Sequence, residues 1–177
     1  MKRPKKKLLA ILFVCFAASF SLFVGILGLS FLGGFVAFGR PIGAEQMERI
    51  FVEDYELLET VTRFLVDSGH LSAHIRRSDI ANGEIHVFDV GSNVQIEDTN
   101  TLEALEELVS RGYSVIVMSD NAIRFQRWSS RDIGHGIVFS IDGNAPELHA
   151  LTRLEPLPKP SWYYYESNFR VWNSMRE

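Results

Sequence analysis

The chain has 177 residues, of which 46% are hydrophobic, and a formal charge of −4. From Arg40 onward it carries 13 basic and 22 acidic side chains, a formal charge of −9, which argues against nucleic acid because such a partner binds a basic surface. The single cysteine, Cys15, excludes an intrachain disulfide, so a folded domain must rely on its own hydrophobic core.

The N-terminus combines a basic tail with a long apolar run. Residues 1–7 contain five lysines or arginines, and residues 8–38 contain no charged side chain. A helix crosses the bilayer core with about 20 apolar residues, so the run predicts a transmembrane anchor with its core at residues 8–30. The positive-inside rule places the basic tail in the cytoplasm. We therefore expect a single-pass protein of the cell membrane, with residues 44–177 forming an extracytoplasmic domain.

Two other interpretations of the apolar run stay open. A cleaved signal peptide has an apolar core of about 7–15 residues followed by small residues. Ala37 and Gly39 resemble such a cleavage site, but the run is much longer than that core. A buried helix of a globular core is the second alternative. The length of the run favours the uncleaved anchor over both.

The anchor predicts contacts within the membrane. Residues 8–30 are expected to contact the lipid bilayer. Ala17, Ser21 and Gly25 share one helix face at four-residue spacing, and small residues at this spacing let two membrane helices pack closely. One interpretation is self-association, or association with a protein partner, through this face. The other is that small residues are common in membrane helices without such a role.

The first helix of the outer domain follows a break in the anchor. Pro41 and Gly43 predict a hinge at residues 39–43. Residues 44–68 then repeat apolar side chains at three- and four-residue steps, the pattern of an amphipathic helix. Asp54 interrupts the apolar stripe, so we expect a buried charge with a partner such as an arginine, or a position at the edge of the stripe.

A β-hairpin is predicted next. Residues 71–80 and 84–90 flank the tripeptide Ala81-Asn82-Gly83. An Asn-Gly pair favours a tight hairpin turn because both residues tolerate positive φ. Two strands joined by such a turn lie antiparallel to each other.

A second helix and a run of strands complete the domain. Residues 99–111 predict the helix, with Asn100 as its N-cap and Gly112 at its end. Alternating apolar positions and short turns then predict antiparallel neighbours. The four strands of this predicted meander are residues 113–118, 123–128, 136–141 and 148–154.

Aromatic residues crowd the C-terminus. On a strand, alternation places Trp162 and Tyr164 on one face and their tyrosine neighbours on the other, and a short helix with Phe169 and Trp172 follows. One interpretation is a final strand that closes the core with large rings. The other is an exposed aromatic patch, formed by these four residues, that contacts a partner or a glycan-like ligand.

Three segments near the C-terminus carry a resemblance: Ser140-Ile141-Asp142-Gly143, Leu154-Glu155-Pro156-Leu157 and Trp162-Tyr163-Tyr164-Tyr165-Glu166. In them the chain resembles uncharacterised small single-pass membrane-anchored bacterial proteins with a C-terminal Trp-Tyr-Tyr-Tyr-Glu segment. The resemblance covers residues 140–166. It implies the membrane compartment and brings no activity, cofactor or site residue with it.

Two groups of residues were candidates for chemistry. His70 and His74 have the four-residue spacing of paired zinc ligands, but no glutamate lies between them, and a strand would hold them about 13 Å apart. We therefore predict no metal and no cofactor, and keep these histidines as weak candidates. The polar connection from Ser129 to His135 contains serines, an aspartate and a histidine, but the chain has no nucleophile-elbow motif.

Two arginines could bind a partner's carboxylate or phosphate. Arg124 and Arg127 lie three apart on a predicted strand, so they point to opposite faces and do not cooperate simply. The alternative is that they pair with acidic groups of the domain itself.

These patterns predict an α+β domain of two helices and a mostly antiparallel sheet, a hairpin plus a four-stranded meander, behind an N-terminal transmembrane helix. The leading functional hypothesis is a membrane-anchored extracytoplasmic binding or interaction module, accessory or protective in role. The alternative is a small extracytoplasmic enzyme, hydrolase-like or metal-using, built on the histidines and the connection from Ser129 to His135.

Overall fold

A computed structural model describes residues 42–119, 121–130 and 133–174, which lie in the compact unit Pro41–Glu177. The predicted anchor at residues 8–38, with its small-residue face, lies outside the described residues. Among the helices that the structure describes, none is both long enough and apolar enough to cross a membrane.

The domain is α+β and is built on one eight-stranded antiparallel sheet, which confirms the predicted class. The strands follow one another across the sheet in the order β3-β2-β1-β4-β5-β6-β8-β7. In chain order the elements are α1 (Ala44–Asp67), β1 (Ala73–Arg76), α2 (Arg77–Ala81), β2 (Glu84–Val87), β3 (Ser92–Gln95), α3 (Thr99–Ser110), β4 (Val115–Ser119), β5 (Ala122–Ser130), β6 (Ile133–Ser140), β7 (Leu151–Pro156), β8 (Trp162–Asn168) and α4 (Phe169–Ser174).

The main core lies between the sheet and the helices α1 and α3. Both helices are amphipathic, and each buries one apolar stripe, because residues three and four apart share a helix face. Phe51 and Leu58 of α1 and Leu105 of α3 are at most 1% exposed. They pack with strand residues such as Ile75 and Phe125 in one cluster. We call the covered side of the sheet the helix face and the opposite side the outer face.

The outer face is covered at one end only. Ala122, Val138 and Tyr165 form a second, smaller buried cluster there. Four partly buried side chains pack on this cluster: Leu148 before β7, Leu151 and Leu154 in β7, and Tyr163 in β8. At the other end, the outward-facing residues of β1, β2 and β3 are exposed or only partly buried. The sheet therefore presents one polar, open end.

The β1–β2 pair was predicted as a hairpin, but its connection differs from the prediction. The two strands do pair antiparallel, with His74 opposite His86. They are joined by the short helix α2, and only Gly83 has positive φ, whereas Asn82 is at φ −95°. The Asn-Gly pair therefore ends a helix here, the role that glycine often takes because it lacks a Cβ.

The predicted four-stranded meander is correct for β4, β5 and β6 and wrong for its fourth strand, β7, because β8 lies between β6 and β7. Strand β3 was not predicted at all, since residues 92–95 contain a single apolar residue, Val94, and give no alternating pattern. Strand β8 buries aromatic side chains on both faces of the sheet, Trp162 and Tyr164 in the main core and Tyr165 in the second cluster.

The N-cap of α3 is Asp98, not Asn100. The Asp98 carboxylate accepts hydrogen bonds from the backbone N–H groups of Asn100 and Thr101 at 3.3 and 3.1 Å, and from the Thr101 hydroxyl. That hydroxyl lowers the pKa of Asp98, because the hydrogen bond stabilises the charged form. Asp98 satisfies two of the donors that every helix start leaves unpaired.

A bulge in β5 depends on a glycine in β6. The register shifts between Gln126 and Trp128, so Arg127 is the extra residue. A Cβ on Gly136 would lie 2.1 Å from the carbonyl oxygen of Phe125. Only glycine allows this approach of the two backbones.

Candidate functional site

Asp54 lies in the main core, at 3% exposure, and is paired with charged and polar groups. Its carboxylate accepts hydrogen bonds from Arg111 Nη1 at 2.7 Å, from the Tyr113 hydroxyl at 2.9 Å and from Arg127 Nη1 at 3.4 Å. The Arg127 guanidinium also lies 5.2 Å above the Tyr113 ring. Burial, and then the charge of Asp54, raise the pKa of Tyr113. These contacts join α1, α3 and β5, so we assign the cluster to stability.

Two of the four residues of the hypothetical exposed aromatic patch, Trp162 and Tyr164, are buried. Trp162 is 2% exposed and Tyr164 is 1% exposed. Trp162 packs against Phe51 and Phe139, at ring-centroid distances of 5.4 and 5.0 Å. Both side chains point to the helix face, where a large ring removes more apolar area from water than any smaller side chain would. The other interpretation, a strand that closes the core, is correct.

The remaining members of that patch do not restore it. Phe169 is 43% exposed, at the start of α4. The side chain of Trp172 lies outside what the structure describes.

The Tyr164 hydroxyl contacts Glu166 Oε1 at 2.5 Å and the carbonyl oxygen of Ile42 at 3.1 Å, so it connects β8 to the start of the domain.

The described residues of the segment from Ser129 to His135 lie in paired strands. Strand β5 continues to Ser130, and β6 begins at Ile133. His135 lies opposite Glu166 in the sheet and is 1% exposed. Burial lowers its pKa, against the opposing charge of Glu166. A buried imidazole inside a sheet has no open path for a substrate, and Asp132 lies outside the described residues.

Arg124 and Arg127 point to opposite faces of the sheet, as the sequence predicts. Arg127 reaches the helix face and contacts Asp54. Arg124 lies on the outer face, directly opposite Val117 of β4, which in turn lies opposite His74 of β1. The buried Arg124 Nε makes no hydrogen bond to any described residue.

The two weak metal candidates, His70 and His74, lie in different segments, and His74 has His86 as its neighbour. His70 precedes β1, whereas His74 is in β1 and directly opposite His86 of β2. Both rings contact Phe88, with ring-centroid distances of 6.2 Å from His74 and 5.0 Å from His86. The sequence did not predict that His74 and His86 face each other, because the register of two paired strands is not visible in local spacing.

These side chains line a cleft of about 300 Å³ on the outer face. We call it the imidazole cleft, and its lining residues are His74, Arg76, Asp79, His86, Phe88 and Asn93. Partial burial, and then the charge of Arg76, lower the pKa of His74. The lowered pKa favours the neutral ring, and a neutral imidazole can accept a hydrogen bond or bind a cation.

A hydrogen-bond chain determines the tautomer of His86. Asn93 Nδ2 donates to Glu84 Oε2 at 2.9 Å, and a carboxylate can only accept. The Asn93 oxygen Oδ1 is consequently the atom that lies 2.9 Å from His86 Nδ1. Nδ1 must donate to it, so in the neutral ring Nε2 carries the free lone pair.

Exposed apolar side chains lie beside the cleft. Leu71, Phe88 and Val90 are 65%, 54% and 58% exposed, and we call them the loop patch. Asp89 orders the two segments that carry them, because its carboxylate accepts from the backbone N–H groups of Leu71 and Ser72 at 2.6 and 2.9 Å. The hydrogen bond from the Ser72 hydroxyl, and then that from the Leu71 N–H, lower the pKa of Asp89. The patch is thus held in a defined arrangement.

The strand next to the loop patch has a free edge within the described sheet. Phe88 N–H donates to the carbonyl oxygen of Ser72 at 3.1 Å, so Phe88 and His86 direct their backbone groups toward β1. Val87 and Ile85 then face β3 and bond Ser92 and Val94. It follows by alternation that the backbone groups of Asn93 and Gln95 point away from the sheet.

No known protein helps to assign the site. No family model, no curated protein and no solved structure matches the chain. Among the described residues, no group of three or more histidine, cysteine, aspartate or glutamate side chains is placed to hold a metal ion.

Proposed function

We propose that the chain is a membrane-anchored extracytoplasmic binding module, and that its docking surface is the loop patch together with the free edge of β3. The occupant is an extended segment of a partner protein that adds a strand to β3. The observation that carries this proposal is the combination of outward backbone groups at Asn93 and Gln95 with three exposed apolar side chains at the Ser92 end of the same strand.

The chemistry of this surface favours a strand over other occupants. Unpaired N–H and C=O groups at a sheet edge are satisfied by another strand, which supplies affinity through main-chain hydrogen bonds. Apolar side chains at the end of the edge supply contacts for the partner's side chains. Natural edge strands are commonly protected by proline, lysine, a bulge or a short length. Strand Ser92–Gln95 has no proline, lysine or bulge, and shortness, with four residues, is its one protection of this kind.

The rival function, a small enzyme, has less support. His135 is buried in the sheet, and Ser129 and Ser130 belong to paired strands. An enzyme of this kind needs a nucleophile and a base within hydrogen-bond reach of each other beside an open cleft. The imidazole cleft brings together two histidines but no serine, threonine or cysteine among its lining residues.

Site-specific photo-crosslinking in intact cells tests the docking surface. A photoreactive amino acid replaces Phe88 in the full chain, and the matched control replaces Val52, which is 63% exposed on α1. We expect one saturable adduct from position 88 and none from position 52. A Gln95→Pro variant removes an outward N–H and should reduce the adduct by about tenfold, the loss typical of a binding hot spot. Equal adducts from both positions, or no effect of Gln95→Pro, would overturn the proposal.

A separate measurement tests the compartment. Single cysteines at Phe88 and at Lys5, in a chain with Cys15→Ser, are treated in intact spheroplasts with a membrane-impermeant maleimide. The anchored topology predicts labelling at position 88 and none at position 5 until the membrane is permeabilised. The reverse pattern rejects the topology, and a freely soluble labelled fragment rejects the anchor.

A further inference from the structure

We infer that His74 and His86 form a binding site for a divalent transition-metal ion of the zinc class. The inference does not depend on the proposed docking function. It concerns the imidazole cleft, whose two histidines come from neighbouring antiparallel strands.

The register brings the two rings to one side of the sheet. His74 and His86 are directly opposite each other, and directly opposite residues have Cβ atoms about 4.5–5.5 Å apart. Rotation about χ1 and χ2 can bring the ring nitrogens of such a pair to a common ion. His70 precedes β1 and is not among the residues that line the cleft, so it is not part of this site.

The tautomer of His86 suits metal ligation, because a metal binds the lone pair of a neutral imidazole. The hydrogen bond to Asn93 keeps the proton of His86 on Nδ1 and leaves the lone pair on Nε2. This places Nε2 of His86 as the ligand atom.

The groups behind His86 form a supporting chain. Glu84 Oε2 accepts from Asn93 Nδ2, and Glu84 Oε1 accepts from Gln95 Nε2 at 3.2 Å. Metal-binding histidines usually donate their second ring N–H to such a carboxylate or carbonyl, which orients the ring and raises its basicity. Here the carboxylate acts through the amide of Asn93.

The remaining surroundings determine which ion fits. Imidazole nitrogen favours zinc, copper and nickel over magnesium or calcium, which prefer oxygen. The positive charges of Arg76 and Arg124 and the negative charge of Asp79 act on His74, and Glu84 adds a second carboxylate behind His86, so charges of both signs surround the cleft. Two protein ligands leave the other coordination positions to water, and we therefore expect weaker binding than at a closed site of four protein ligands.

Isothermal titration of the full chain in detergent micelles, purified without a histidine tag, tests the inference. We expect one Zn²⁺ per chain, no competition from Mg²⁺, and affinity that falls at acid pH as the imidazoles protonate. His74→Gln and His86→Gln should each weaken binding at least about tenfold, and Asn93→Ala about tenfold. His70→Gln is the matched control and should leave the affinity unchanged.

The outcomes separate this inference from the docking function. The substituted side chains are exposed or only partly buried, so each variant is expected to fold. Far-UV circular dichroism verifies this. Zinc affinity that is equal in His74→Gln, His86→Gln and His70→Gln, or no binding by the unsubstituted chain up to about 1 mM Zn²⁺, would overturn the metal site. The crosslink from position 88 is scored without added zinc, so either proposal can fail while the other stands.

Discussion

Arg111 Nη1 donates to Asp54 Oδ1 at 2.7 Å and so joins the C-terminal end of α3 to the middle of α1. Arg111 also contacts Glu107 one turn earlier in its own helix, at 2.8 Å. Asp54 in turn accepts from Arg127 of β5, so one carboxylate holds two helices and a strand together. The two helices that cover the main core are thus connected by charge as well as by apolar packing.

Asp54→Ala is expected to lower the free energy of unfolding by about 3 kcal/mol, because it leaves two guanidinium groups and a buried tyrosine hydroxyl without their acceptor. Urea unfolding monitored by circular dichroism measures the change. Glu53→Ala, at the exposed neighbouring position of the same helix, is the matched control and should change the value by less than about 0.5 kcal/mol. Equal effects of the two substitutions would show that the cluster does not stabilise the domain.

Gly136→Ala is expected to destabilise the domain by about 3 kcal/mol or to prevent folding, since the added methyl group must displace backbone atoms of β5. The added methyl carbon would lie 2.1 Å from the carbonyl oxygen of Phe125. Gly134→Ala on the same strand is a sharp comparison. Its methyl group would meet only side-chain atoms, Ser167 Oγ at 3.2 Å and Gln126 Nε2 at 3.3 Å. Because side chains can move, the thermal unfolding midpoint of Gly134→Ala should fall far less than that of Gly136→Ala. Similar midpoints for the two variants would contradict the account of the bulge.

Trp162→Ala should act on stability and not on binding. A buried ring of this size costs about 3–5 kcal/mol when it is truncated, because the cavity closes only in part. Phe169→Ala, at a 43% exposed position, should cost about 0.5 kcal/mol or less. Chemical denaturation of both variants decides the matter. A Trp162→Ala chain with unchanged stability would reinstate an exposed role for this ring.

The domain should lose stability in alkaline solution. Burial raises the pKa of Tyr165 to about 12, above the ordinary tyrosine value of about 10. Between these values the folded chain retains a proton that the unfolded chain releases, so the free energy of unfolding falls as pH rises, by about 1.4 kcal/mol per pH unit. Burial also raises the pKa of Tyr113 and of Tyr164, so these two groups further lower the free energy of unfolding in alkaline solution.

Denaturation curves from about pH 8 to about pH 11 measure this loss, which should begin near pH 10. Tyr165→Phe should make the decline shallower, because one buried phenol no longer titrates. Tyr163→Phe removes a hydroxyl from the same strand and the same face and serves as the control. A decline with the same slope in the unsubstituted chain and in Tyr165→Phe would contradict the assignment.

The sequence determined the local elements and the class of the fold. The apolar steps of residues 44–68 and 99–111 are properties of a single helix, so both helices were found within one residue of their observed ends. The same holds for the alternation that places Trp162 and Tyr164 on one face of β8, and for the opposite directions of Arg124 and Arg127. These features depend only on the period of the backbone.

Only the tertiary structure decided which segments meet. The insertion of β8 between β6 and β7, the pairing of His74 with His86 and the convergence of Arg111, Tyr113 and Arg127 on Asp54 all join residues far apart in the chain. Local patterns carry no information on such partners, because a strand's preference for a neighbour comes from packing across the sheet. The open end of the outer face follows from that arrangement, and with it the surface to which we assign binding.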